Sequence, residues 1–106
     1  MVNQYEIYLV NLDPTIGSEI KKTRPCVIIS PDELNGYLKT VIIVPLTSKQ
    51  HKFPFRVKTK LMNRNGELVV DQIRTIDKTR LIKKLGDLPK NSIRQLKSIL
   101  YEMLIV

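Results

Sequence analysis

Tryptophan is absent from this sequence, and cysteine and histidine occur once each. One cysteine cannot form an internal disulfide and has no companion for a zinc site. It sits in the run Cys26-Val27-Ile28-Ile29 and reads as a small buried hydrophobe rather than a reactive thiol. The lone histidine, His51, lies in the polar stretch Ser48-Lys49-Gln50-His51-Lys52, where such a residue is more often solvated than catalytic. No apolar run approaches the ~20 residues of a membrane span. The opening Met-Val-Asn-Gln-Tyr-Glu lacks the basic-then-apolar pattern of a secretory signal. No membrane partner is expected, and a cytoplasmic location is. There is no P-loop, no dinucleotide-binding glycine fingerprint and no carboxylate–histidine set at metal spacing, so no cofactor and no metal are expected. Repeats, low-complexity tracts and linkers are also missing. The 106 residues therefore read as one domain, burying roughly two thirds of its unfolded surface.

Acidic charge is the other scarcity. The formal net charge is +8. Residues 1–53 balance six Lys/Arg against five Asp/Glu, whereas residues 54–106 set twelve against five. The excess gathers in Arg56, Lys58, Lys60, Arg64, Arg74, Lys78, Arg80, Lys83 and Lys84. Such a field attracts a polyanion and speeds its encounter. The plainer alternative is a small basic domain with no such partner.

Residues 5–12 are rich in β-formers and read as a strand that ends at Asp13-Pro14. A polar loop containing one glycine follows. Residues 25–30 (PCVIIS) predict a strand buried on both faces. Residues 31–35 predict a single helical turn, with Ser30 as its cap and Pro31 in first position. Residues 40–46 (TVIIVPL) form a second buried strand, in which Pro45 marks an edge, a bulge or the strand's end. Residues 53–59 alternate Phe53, Phe55 and Val57 with Pro54, Arg56 and Lys58, a half-exposed strand with a basic outer face. Asn63-Arg64-Asn65-Gly66 is turn chemistry, and residues 68–73 return as its hairpin partner. Residues 80–85 offer a further short strand. After Leu88-Pro89, the apolar positions Ile93, Leu96, Ile99, Leu100, Met103 and Leu104 fall on one helical face, with Asn91 or Asp87 as cap. The predicted fold is α+β and mostly β, a small antiparallel sheet curled into a partial barrel and covered by the helix. The apolar final residues, Tyr-Glu-Met-Leu-Ile-Val, are expected to dock on their own domain or on a second copy.

Several polar residues stand where strands begin or break. Arg24 precedes Pro25, which holds its backbone extended. A guanidinium at the mouth of a rigid strand suits a phosphate's oxygens; alternatively it pairs with Glu19 or Asp71. Thr47 and Ser48 follow the strand-ending Pro45 and serve either as turn formers or as site hydroxyls. Asp71, in the apolar run after Leu68-Val69-Val70, needs a cationic or hydrogen-bonding partner, and Arg24 is a natural candidate. If residues 68–73 form a strand, Asp71 and Gln72 point to opposite faces. Ser18 and Glu19 lie in the first long loop. Arg74-Thr75-Ile76-Asp77 reads as functional, as a surface turn or as a subunit contact.

In order and spacing, Asp13-Pro14-Thr15, Gly17-Ser18-Glu19-Ile20-Lys21-Lys22-Thr23-Arg24-Pro25, Val44-Pro45-Leu46-Thr47-Ser48 and Asp71-Gln72-Ile73-Arg74-Thr75-Ile76-Asp77 resemble the MazF/PemK/Kid family. Its members are endoribonuclease toxins of bacterial type II toxin–antitoxin pairs (mRNA interferases), and the resemblance spans nearly the whole chain. It implies an SH3-like barrel with a C-terminal helix, a growth-inhibiting toxin and a homodimer. It further implies two partners: single-stranded RNA, and an acidic MazE/PemI-like antitoxin whose tail occupies the RNA groove. It makes Arg24 and Thr47 the catalytic pair. Ser18, Glu19, Ser48, Asp71, Gln72, Phe53 and Arg56 are expected to hold substrate, and no metal is implied. The expected reaction is metal-independent attack of the ribose 2′-OH, giving a 2′,3′-cyclic phosphate and a 5′-OH. The chain departs from the Kid-type branch at Ser18, where that branch has histidine, and at Val69, where it has arginine. Ile20 replaces the usual glutamine. The MazF-type arrangement of Arg24 and Thr47 is intact. Competing expectations are a DNA gyrase poison of the same barrel, as in the CcdB family, and a non-catalytic RNA-binding module. The missing tryptophan argues against the gyrase poison, because that family uses one near its C-terminus.

Overall fold

In the computed structural model, residues 1–49 and 53–105 are described; His51 lies outside them. Seven strands and two helices follow one another as β1 (Glu6–Asn11), β2 (Thr23–Ile28), α1 (Asp32–Tyr37), β3 (Thr40–Thr47), β4 (Arg56–Leu61), β5 (Arg64–Val69), β6 (Arg74–Asp77), β7 (Leu81–Asp87) and α2 (Lys90–Leu104). Short 3₁₀ turns occupy Val70–Gln72 and Lys78–Arg80. All pairings are antiparallel, in the order β4-β5-β3-β2-β1-β7, with β6 also on β3. The two halves of β3 have different neighbours. Thr40–Ile43 pair with β6, whereas Leu46 and Thr47 pair with β5. This divided edge curls the sheet into the expected half-barrel.

The apolar runs of β2 and β3 are buried on both faces, as their composition predicts. Val27 and Val44 join Ile7, Leu68 and Leu96 in one cluster, while Cys26, Ile28 and Ile43 join Val10, Leu12 and Ile76 in another. Helix α2 covers the first cluster. Leu96 is fully buried there, which stabilises the fold by about 2 kcal/mol, and Ile93, Ile99, Leu100 and Met103 pack beside it. Burial pushes the Cys26 thiol up to about 12, so it is the inert hydrophobe its neighbours predict.

Several local expectations are corrected. The hairpin turn is Met62-Asn63, both at positive φ (51° and 62°), with Leu61 opposite Arg64; Gly66 lies inside β5. A Cβ on Gly66 would stand 3.0 Å from Leu46 Cδ2 and 3.3 Å from the Thr47 carbonyl, so glycine lets β5 approach the end of β3. Strand β4 starts only at Arg56, after Phe55 at φ 60°. Val57 and Thr59 then face inward, leaving Phe53 and Phe55 exposed instead of buried. Ser30 does not cap α1. Its hydroxyl donates to Asn35 Oδ1 and accepts from Ile42 N, tying α1 to β3. Neither Asn91 nor Asp87 caps α2, which follows Pro89 without a side-chain cap. Residues 74–77 are a paired strand rather than a turn. Tyr101, Leu104 and Ile105 are exposed, so among the described residues of the apolar terminus it is Met103 that docks on its own domain.

Candidate functional site

The β1–β2 loop, the end of β3 and the start of β4 meet around an open groove of about 320 Å3. Ser18, Glu19, Arg24, Thr47, Ser48, Phe53, Arg56 and Gln72 all line it. Eight of the nine residues singled out from sequence thus converge on one concavity. Asp71 is the exception, opening onto a neighbouring cavity of about 380 Å3 behind the loop. Lys21, Ile20, Lys49 and Val69 complete the groove wall. The lysines were absent from the expected set, although Lys49 directly follows Ser48 and Lys21 lies between Glu19 and Arg24.

Arg24 is held by its strand. It pairs with Val10 of β1. The β2–β3 register, carried two residues beyond the Cys26–Pro45 pair, sets it across from Thr47. Its side chain is exposed, and among the described residues its guanidinium has no ion-pair or hydrogen-bond partner. Thr47 Oγ1 accepts from Lys49 N at 3.2 Å, which turns the chain out of β3 and presents Ser48. A more apolar cavity of about 520 Å3, lined by Leu46, Leu61, Met62 and Leu85, opens on the other side and shares Arg24, Thr47 and Ser48. The three therefore form a ridge between two concavities.

The expected Arg24–Asp71 pair is not formed. Val70–Gln72 wind into a 3₁₀ turn instead of continuing the strand, and Asp71 meets Arg56. Arg56 Nε and Nη2 donate to the two Asp71 oxygens at 2.9 and 3.2 Å, and Nη1 donates to Glu67 Oε1 at 3.1 Å. The Phe53 ring lies 4.9 Å from the guanidinium carbon. These bonds hold the Asp71 carboxyl below the usual range and raise Arg56 further, chiefly through Asp71. Arg56 is thus a brace between β4, β5 and the 3₁₀ turn, not a loose cation. Among the described residues, the available positive charge of the groove sits at Arg24, Lys21 and Lys49. Arg80 and Arg74, counted from sequence in the basic field, donate to backbone carbonyls of Asn11, Leu12 and Asp13 and clamp the base of the β1–β2 loop.

A second internal pair gives the protein an acid limit. Burial alone would raise Glu6, but Lys84 at 2.7 Å and the Asn3 N–H at 2.6 Å outweigh it and hold the carboxyl low. Asp71 and Glu6 both have depressed folded-state values, so the stability they contribute is present above the unfolded carboxylate range. It is lost as pH falls through the folded values. The urea midpoint is expected to be flat above about pH 5 and to drop below about pH 4. Asp71→Asn should make that drop shallower; an unchanged acid limb would remove Asp71 from the account.

Solved structures share this fold. MazF from Deinococcus radiodurans superposes with a TM-score of 0.88 at 23% identity, covering 99% of this chain and 97% of that one. A mycobacterial endoribonuclease in complex with its cognate antitoxin gives 0.83 at 21%, covering 98% and 95%. The Mycobacterium tuberculosis toxin MazF-mt6 gives 0.76 at 20%, covering 92% and 93%. The half-barrel is therefore of the MazF type. The family model described as PemK-like, MazF-like toxin of type II toxin–antitoxin system matches residues 3–104, and the chain belongs to that family.

Proposed function

We propose that this toxin is a sequence-selective, metal-independent endoribonuclease acting on single-stranded RNA. The observation that carries the reading is the guanidinium of Arg24, without a partner among the described residues, across from Thr47 in a groove of about 320 Å3 bordered by Lys21 and Lys49. In the reaction the ribose O2′ bonds to the adjacent phosphorus and the P–O5′ bond breaks. A 2′,3′-cyclic phosphate and a 5′-OH remain. The 2′-OH proton leaves to water or to a groove hydroxyl, and the departing O5′ takes up a proton. Arg24 stabilises the extra phosphoryl charge. With a pKa above ~12 it is poorly matched to proton transfer at neutral pH, so positioning and charge carry most of the rate. Bases splayed from the strand are read by the loop residues Ser18 and Glu19.

The same groove suits the acidic, disordered tail of an antitoxin, which would order on binding and block RNA by occupancy and charge. MazF of Deinococcus radiodurans has been solved with MazE, in keeping with such a partner here. A second copy of the chain would cover the exposed apolar residues Tyr101, Leu104 and Ile105.

The purified protein is expected to cleave single-stranded RNA in EDTA and to leave 2′,3′-cyclic phosphate ends. Mass analysis of the products decides it. A strict magnesium requirement or 3′-OH products would overturn the mechanism, and intact RNA under all conditions would leave a binding module of the same fold.

A further inference from the structure

The β1–β2 loop is fastened unevenly. At its base, Leu12 N donates to Lys22 O and Lys22 N donates to Asp13 Oδ1, both at 3.0 Å. Further out, Ile16 and Glu19 bond each other around Gly17, which sits at φ 61°. Glu19 N donates to Ile16 O at 3.2 Å and Ile16 N donates to Glu19 Oε1 at 2.6 Å. This turn is closed on itself, and neither bond reaches the barrel. Among the described residues, the hydrogen bond that ties residues 14–21 to the barrel is Ile20 N to Gln72 Oε1, 2.7 Å long and spanning 52 positions. The Ile20 side chain, half-buried against the Val10–Leu12 cluster, sits beside it.

The location of this bond gives it a consequence. Ser18, Glu19, Ile20 and Gln72 line both the groove that holds Arg24 and the cavity behind the loop. They are the partition between two chambers. Gln72 stands on the 3₁₀ turn, which the Arg56–Asp71 bonds brace, so the partition is referred to a rigid part of the barrel. We propose that Gln72 is a positioning residue for substrate selection. Its amide carbonyl fixes the Ser18–Ile20 wall at a set distance from Arg24 and Thr47, and so determines which bases fit beside the reacting phosphate. The substrate in this inference rests on the nuclease reading above; the latch itself does not. A preformed wall discriminates because a misfit base must break it, whereas a loose wall adapts to any base. This role differs from the direct RNA contact expected of Gln72, since its carbonyl is already engaged.

The test uses the full chain and separates the two parts. Hydrogen exchange at the Ile20 amide is measured in RNA-free wild type, Gln72→Ala and Gln72→Glu, with β3 amides as the control for folding. Glutamate keeps an acceptor for Ile20 but removes the amide donors. Binding is then read with non-cleavable 2′-O-methyl oligonucleotides varied one base at a time. The measure is the ratio of best to worst sequence, so a uniform charge effect cancels. In Gln72→Ala, Ile20 exchange should rise about fivefold and the discrimination ratio should fall about fivefold, the worth of one neutral hydrogen bond. Gln72→Glu should keep both within twofold of wild type. Unchanged Ile20 exchange in Gln72→Ala overturns the latch. Lost discrimination in Gln72→Glu with Ile20 still protected shows that Gln72 reads RNA directly, and overturns the positioning role. If the wild type binds no RNA, the selection role falls together with the nuclease reading, while the exchange data still decide the latch.

Discussion

Alanine at position 24 is expected to slow RNA cleavage on the order of 10²–10³-fold while leaving the fold intact. The guanidinium is exposed and makes no bond among the described residues, so its removal breaks nothing that holds the barrel. On the proposed mechanism, what is lost is the charge facing the phosphoryl oxygens as O2′ bonds to phosphorus. Arg24→Lys should recover little, because an ammonium is a point charge and cannot grip two oxygens in one plane. Initial rates on a defined oligonucleotide, with circular dichroism as the control for folding, decide it. Cleavage by Arg24→Ala within a few-fold of wild type would move the site elsewhere, and Lys21 and Lys49 would be the next cations to test.

Arg56→Ala should act on stability first. Each nitrogen of this guanidinium donates to a carboxylate, and one of those carboxylates, Glu67, is only 1% exposed. Breaking a charge-assisted bond to a buried carboxylate costs about 2–3 kcal/mol, which in a domain of this size lowers Tm by about 10 °C or more. Activity should fall as well, because the 3₁₀ turn that carries Gln72 loses its brace. Chemical denaturation of Arg56→Ala separates this from a role as a substrate cation. Weaker RNA binding with unchanged stability would return Arg56 to the substrate. Arg56→Lys should fall between, since an ammonium lacks the planar fork that grips both Asp71 oxygens while also reaching Glu67.

The contrast between the two arginines shows how far residue type and order can be read. The extended backbone of Arg24 was readable because Pro25 and a buried run fix it. Arg56 was not, because nothing local says that β4 starts late, after the positive φ of Phe55, or that Glu67 arrives beside it across the hairpin. The two-sided strands β2 and β3 were plain from continuous apolar runs, as was α2 from its periodicity. The Val70–Gln72 turn was hidden for the opposite reason. Leu68-Val69-Val70 has strand composition, and only the tertiary pull of β3 pairing on both sides makes the chain turn there. The Asp71–Arg56 pair and the Gln72–Ile20 bond are both consequences of that turn, so both escaped a reading by strand alternation.

The pairing of β1 with β7 bears on when the groove takes its shape. Glu6 lies opposite Asp87, and Val10 opposite Leu81, so the first strand stays an open edge until residues 81–87 have been made. The Arg80 clamp on the loop base and the Leu96 plug of the core come equally late. Contacts this distant along the chain form after synthesis of both ends and fold slowly. The groove residues, all encoded before position 73, exist on the ribosome well before the barrel that aligns them. The groove therefore takes its shape only when residues 81–104 have closed the barrel against the first strand.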